Sequence, residues 1–161
     1  MKKDKIFAIL FCISIFALLY AEHLFESIFM LLYIPFSIWI TAIICYFPII
    51  KKNNISKVSS FYKIMTFGNT VLFIFLFSSF YFTIGNTYEK DFKILSSSSV
   101  ASGNGKGQYT EFEPRADIEY IGILKSITFS TEVDIKSKKY VTLILKKNIF
   151  GFPIIIKRTS H

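Results

Sequence analysis

Glu22, His23 and Glu26 are the residues of this sequence whose types and spacing come nearest to chemistry. On a helix, residues three and four apart share a face, so one imidazole and two carboxylates would gather on one side. Such a group can hold a divalent cation or relay a proton. Zinc, however, usually takes three or four protein ligands, and no second His or Cys stands near. The cluster is therefore read as a polar hairpin marking where the chain leaves lipid, and neither metal nor cofactor is expected. Asn69, between Gly68 and Thr70, is the second polar candidate. An amide among apolar neighbours needs a partner, and glycine lets an adjoining helix approach, so Asn69 is read as a bond between helices rather than a substrate ligand.

Hydrolytic chemistry finds no assembled parts. His23 and His161 are the only histidines, and there is no Gly-x-Ser-x-Gly sequence to seat a nucleophile. Gly103-Asn104-Gly105-Lys106-Gly107 lacks the Walker spacing and the hydroxyl after its lysine. Cys12 and Cys45 lie in apolar runs without metal-ligand spacing, and the C-terminal half has no cysteine to form a disulfide. The formal net charge of +8 is spread over separate segments, so nucleic acid is not an expected partner. No catalytic residue is assigned, and the chain is not expected to be an enzyme.

The elements that must position these residues follow from composition. The 161 residues are 52% hydrophobic and 19% charged, against about 45–50% and 25% for ordinary soluble domains. The excess is concentrated in the first half, in uncharged runs over 6–21, 28–50 and 64–84. The first is short for a hydrocarbon core of ~30 Å, but Lys5 can reach back to the interface. One helix running from Ile6 to Ile34 would sink Glu22, His23 and Glu26 into lipid, at a cost of about 2.5–3.5 kcal/mol for a carboxylate at the centre. Three spans are therefore expected over residues 1–84, joined by a loop at 22–27 and a second at 51–63. Pro35 is read as a bend in the second span.

Lysine placement sets direction. Lys2, Lys3 and Lys5 precede the first run, no Lys or Arg occupies the first loop, and Lys51, Lys52, Lys57 and Lys63 flank the third run. Basic loops stay in the cytoplasm, so the N-terminus is expected inside and everything after Ile84 outside. A cleaved signal peptide over 1–21 is the rival reading, but Leu19-Tyr20-Ala21 lacks the small first residue of a cleavage site. The segment Ile55–Lys63, with Phe61 and Tyr62, suits an anionic headgroup surface.

Residues 85–108, rich in Ser and Gly, are read as a polar tether, and 109–161 as a β-module. Ile127–Ile135 alternates apolar or β-branched with polar residues, the pattern of a half-buried strand. Tyr140–Leu145 and Phe152–Arg158 read as strands joined through Asn148–Gly151, where Gly151 can take positive φ. Pro153 places the last strand at an edge or beyond the proline. Ile118–Leu124 and Tyr109–Phe112 add further strands, for one antiparallel sheet of four or five. The stretch Asp117–Arg158, with its β-rich strand, Ile149-Phe150-Gly151-Phe152 turn and aliphatic basic strand, resembles the β-rich tails of short, uncharacterised bacterial membrane proteins with a few spans. The resemblance implies that fold and carries no functional residue across.

The fold class expected is thus α-helical transmembrane with three spans, plus a small antiparallel β-module outside the cytoplasmic membrane. The expected role is interaction, as an accessory or self-protection protein. Its partners are the bilayer and another membrane or envelope protein, met by an exposed strand edge near Phe152–Ile156. The alternative is a small transport or ion-handling component using Glu22, His23, Glu26 and Asn69. An enzyme acting on lipid or envelope substrates lacks a nucleophile and base.

Overall fold

The computed structural model describes residues 2–52, 57–101 and 112–160. It contains three helices and two small antiparallel sheets, in two compact units. Met1–Phe25 with Met30–Phe82 makes a helical unit, and Glu26–Phe29 with Thr83–His161 a β unit. Gly103–Gly107, Ile55 and Ser56, and Tyr109 to Glu111 lie outside the described residues.

The helical unit consists of α1 (Lys2–Glu26), α2 (Tyr33–Lys52) and α3 (Lys57–Tyr81). Lys5–Glu26 and Ser60–Tyr81 are long and apolar enough to cross a membrane, whereas Tyr33–Ile49 is a shorter apolar helix. Where the sequence reading places a polar loop at 22–27, α1 continues to Glu26. It meets no proline or glycine there, so the charges of Glu22 and Glu26 do not end it. The connection is instead the apolar stretch 27–32, and α2 starts five residues later than the second apolar run. Pro35 bends nothing: it sits in the first turn of α2, where no backbone N–H is needed, and the proline inside that helix is Pro48.

Close approach holds α2 against α3. A Cβ on Gly68 would lie 2.9 Å from Ile43 Cγ1 and 3.1 Å from Trp39 Nε1. Tyr46 stacks on Phe67 at 4.4 Å between ring centroids. Phe11 of α1 packs against Phe61 and Tyr62 of α3, and the hydroxyls of Tyr20 and Tyr81 lie 2.9 Å apart.

The β unit is two three-stranded sheets rather than one sheet of four or five strands. The first has order β1 (Thr83–Lys93), β5 (Tyr140–Asn148), β6 (Pro153–Ser160), and the second β2 (Ser96–Ala101), β3 (Phe112–Tyr120), β4 (Ile123–Thr128). Residues 85–101, expected as tether, therefore form two strands. Serine is a poor strand former, but in β2 it needs only to pair, register Ser96 to Asp117 through Ala101 to Phe112. Both sheets contribute to one core containing Phe92, Ile118, Ile127, Val141, Leu143 and Ile155.

Two strand expectations need correction. Ile118–Leu124 contains a turn: Ile121 (φ 49°) and Gly122 (φ 76°) link β3 to β4. Positive φ at both central residues matches the twist of the flanking strands, but Ile is an unusual choice there, which hides the turn from sequence. Ile127–Ile135 is a strand only to Thr128. Beyond it, Phe129 N–H still donates to the Pro114 carbonyl at 2.8 Å, and Phe129 and Ile135 insert into the core from a loop ending in a 3-10 turn at Ile135–Ser137. Alternation there records burial, not pairing. The β5–β6 turn is built by Asn148, whose buried Oδ1 accepts N–H from Phe150 and Phe152, both at 2.9 Å. Gly151 takes φ 86°.

Candidate functional site: strand edges of the β unit

A sheet edge carries unpaired N–H and C=O groups that template a further strand unless something blocks them. The edge expected to be open, near Phe152–Ile156, is occupied by the chain itself. Phe29 N–H donates to the Pro153 carbonyl at 2.8 Å, and Ile155 N–H to the Ser27 carbonyl at 2.9 Å. Ile28 pairs antiparallel with Ile154. Ile28 and Phe29 are wholly buried, and Phe29 lies against Phe92 and Tyr120 at 5.9 and 4.9 Å between centroids. Apolar residues read as the start of a span serve as a single bridge to β6 and as core side chains.

Cations surround this inserted segment. Lys125 Nζ donates to the Ile28 carbonyl at 2.9 Å. Burial pushes its ammonium down to about 8, against the pull of the Glu26 carboxylate and with Arg158 adding to the push. Burial likewise lowers Arg158, again opposed by Glu26. Arg158 Nη1 donates to the Thr128 carbonyl at 2.8 Å, which engages the end of β4.

The edges of β1 and β2 differ in kind. β1 carries Glu89, Lys90, Asp91 and Lys93 and has an irregular register between Ile84 and Tyr88, the charges and bulge that discourage strand addition. The Lys90 ammonium lies 4.5 Å from the Tyr120 ring centroid. Burial, then a hydrogen bond with Tyr120, raises the Tyr88 phenol to about 12.

β2 reads Ser-Ser-Ser-Ser-Val-Ala. It has no charge, proline or bulge, its residues Ser96–Val100 are exposed, and among the described residues no strand pairs with its outer side. It is firmly seated on β3. The Asp117 carboxylate accepts from Ser96 and Ser126, and these hydrogen bonds, the Ser126 one foremost, hold it below the usual carboxylate range with help from Arg115. Beside Ser98 and Ser99 lies a depression of about 350 Å³ walled by Phe112, Pro114, Glu132 and Val133. Backbone groups along an edge with a side-chain pocket next to it are the two parts of strand-addition recognition. Sequence reasoning passed over β2, because a serine run carries no apolar period.

The polar residues singled out from sequence are not gathered at one point. Glu22 and His23 are exposed on the last turns of α1, and Glu22 lines an apolar groove of the helical unit. Glu26 belongs electrostatically with Lys125 and Arg158. Asn69 is buried between the helices, its Oδ1 accepting from Trp39 Nε1 and its Nδ2 donating to Ser14 Oγ, both at 3.0 Å. Among the described residues no group of three His, Cys, Asp or Glu is placed to hold a metal ion. A scan of protein-family models and searches of curated proteins and of solved structures found no match to this chain.

Proposed function

We propose that this chain is a non-catalytic membrane protein whose β unit, displayed outside the cytoplasmic membrane, receives an extended strand from another membrane or envelope protein along β2. In this reading α1, α2 and α3 all cross the bilayer, with the N-terminus in the cytoplasm. The length and apolar character of Lys5–Glu26 and Ser60–Tyr81 support the placement, and the lysines before α1 and around the α2–α3 connection support the direction. An accessory or self-protection role is the form of interaction that a small anchored module suits.

The observation that carries the reading is the contrast between edges: β6 is covered over Pro153–Ile155 from within the chain, β1 is charged and bulged, β4 carries Lys125 and is met by Arg158 at Thr128, and β2 is open and neutral. The transport alternative gains no such support. Asn69 engages Trp39 and Ser14, and Glu26 faces cations of the β unit, so these residues form no continuous polar line.

The test places a photocrosslinking amino acid at Ser97, exposed on β2, in the full chain in native membranes and compares Ser98→Lys with Val100→Lys beside it. Crosslinking to a partner that either lysine abolishes is the expected outcome. Crosslinking that survives both lysines overturns the assignment to β2. Extraction of the chain by alkaline carbonate without detergent overturns the membrane placement, and a reporter fused after His161 that works only in the cytoplasm overturns the direction.

A further inference from the structure

We propose that a groove in the helical unit binds a phospholipid whose head carries an ammonium group, selected by Glu22; this rests on the membrane reading above. The groove encloses about 910 Å³, and Leu18 and Glu22 of α1, Leu32, Tyr33 and Trp39 of α2 and Leu72 of α3 line it. That is the upper part of the range of about 300–1,000 Å³ typical of small-molecule sites. Its lining is apolar apart from Glu22, which makes no hydrogen bond or ion pair among the described residues.

Two features make it a formed site rather than a gap between helices. The Trp39 indole cannot swing away, because its N–H is held by Asn69 at 3.0 Å, and Asn69 is itself bonded to Ser14. Gly68 leaves room for that ring, since any Cβ there would come within 3.1 Å of Nε1. The ring therefore stands as a fixed wall for an acyl chain.

Charge and position indicate which amphiphile fits. Glu22 lies in the closing turns of α1 and Tyr33 opens α2, so both mark the same end of the bundle, the end where outer headgroups sit in the proposed topology. A carboxylate beside an exposed aromatic ring attracts an ammonium by charge and by cation–π contact and repels an anionic head. The apolar chains would lie along Leu18, Leu72 and Trp39.

Trp39 is the single tryptophan of the chain and reports occupancy directly. The full chain is placed in nanodiscs of equal parts phosphatidylethanolamine and phosphatidylglycerol, with brominated chains on one lipid or the other, so that surface charge stays constant. Brominated phosphatidylethanolamine should quench Trp39 about two- to fivefold more than brominated phosphatidylglycerol, the ratio that an exposed ion pair commands. Glu22→Gln should bring that ratio to one. So should Leu32→Arg, which neutralises Glu22 from an exposed position and decides the matter if Glu22→Gln does not fold. Equal quenching in the unaltered chain, including that from a protein helix filling the groove, overturns the proposal, as does a preference that survives either variant. Equal quenching leaves the membrane placement standing, whereas no quenching by either lipid removes that placement too.

Discussion

In the helical unit Ile9, Ile13, Phe16 and Ile44 point outward, more than half exposed, while Ser14 and Asn69 are each only 4% exposed. In the β unit the exposed positions of β1 and β2 are mostly Asn, Thr, Ser, Glu, Asp and Lys, with Ile84 and Val100 as apolar exceptions, and Ile118, Val141, Leu143 and Leu145 are fully buried. Water cannot be the best solvent for both surfaces. A bundle that keeps its amides inside and its isoleucines outside has the pattern of a structure whose surroundings are hydrocarbon, where interhelical hydrogen bonds and small residues replace the hydrophobic effect as the source of association. The β unit obeys the ordinary rule for water. One chain thus carries two solvent preferences, and it changes between them not only at Phe82–Thr83, near the end of the third apolar run, but also within the α1–α2 connection.

That boundary is most directly broken at Phe29. It is 1% exposed in the β core, so Phe29→Ala should cost the β unit about 3–5 kcal/mol. Phe16→Ala, at a site 72% exposed, should cost under about 0.5 kcal/mol. Urea unfolding of the full chain in detergent measures both, and equal losses would erase the distinction.

A pH series sharpens it next. Lys125 titrates at about 8 in the folded β unit, below its ordinary 10.5, so between those values the unfolded chain binds more protons and stability rises with pH. The gain over Lys125→Met should approach about 3 kcal/mol across that window and vanish below pH 8. Tyr88 acts oppositely and later. Its raised folded value, about 12, means that its contribution is present below pH 10 and lost as pH climbs to 12. Unfolding midpoints at pH 7, 8.5 and 9.5 isolate the lysine.

The two buried asparagines test the difference on one residue type. Asn148→Ala strands two turn N–H groups in the β unit and should cost about 1–3 kcal/mol. Asn69→Ala should cost about 0.6–1.7 kcal/mol, as interhelical hydrogen bonds among apolar helices do. Thermal unfolding in detergent compares them, and a larger loss at Asn69 would reverse the ranking. The smallest effect is a gain. Ile121→Asn creates the Asn-Gly pair that positive φ at both turn residues favours, and should stabilise the β unit by about 1 kcal/mol, read as a higher urea midpoint.

The sequence made the three helices, β5, β6 and the Gly151 turn readable, because each rests on a local signal: uncharged length, a β-branched run or a glycine after asparagine. It did not make β1 and β2 readable, since their polar residues pair through backbone groups that every residue possesses. Nor did it distinguish Ile28 and Phe29 as sheet residues. Apolar side chains bound for a protein core and for lipid look alike, and the partner at Pro153–Ile155 lies more than a hundred residues on. At the candidate site, Glu22, His23, Glu26 and Asn69 stood out by chemistry, yet the open edge is made of serine backbone.

The capture of Ser27–Phe29 by a strand near the far end of the chain also fixes an order of events during synthesis. These three residues are made more than a hundred residues before the Pro153–Ile155 strand that receives them. Until Pro153–Ile155 has been made, Ile28 and Phe29 have no sheet to join and must be tolerated elsewhere, at an interface or under a chaperone. The module is therefore sealed last, and a chain that stops short of Pro153 would leave its first connection permanently open.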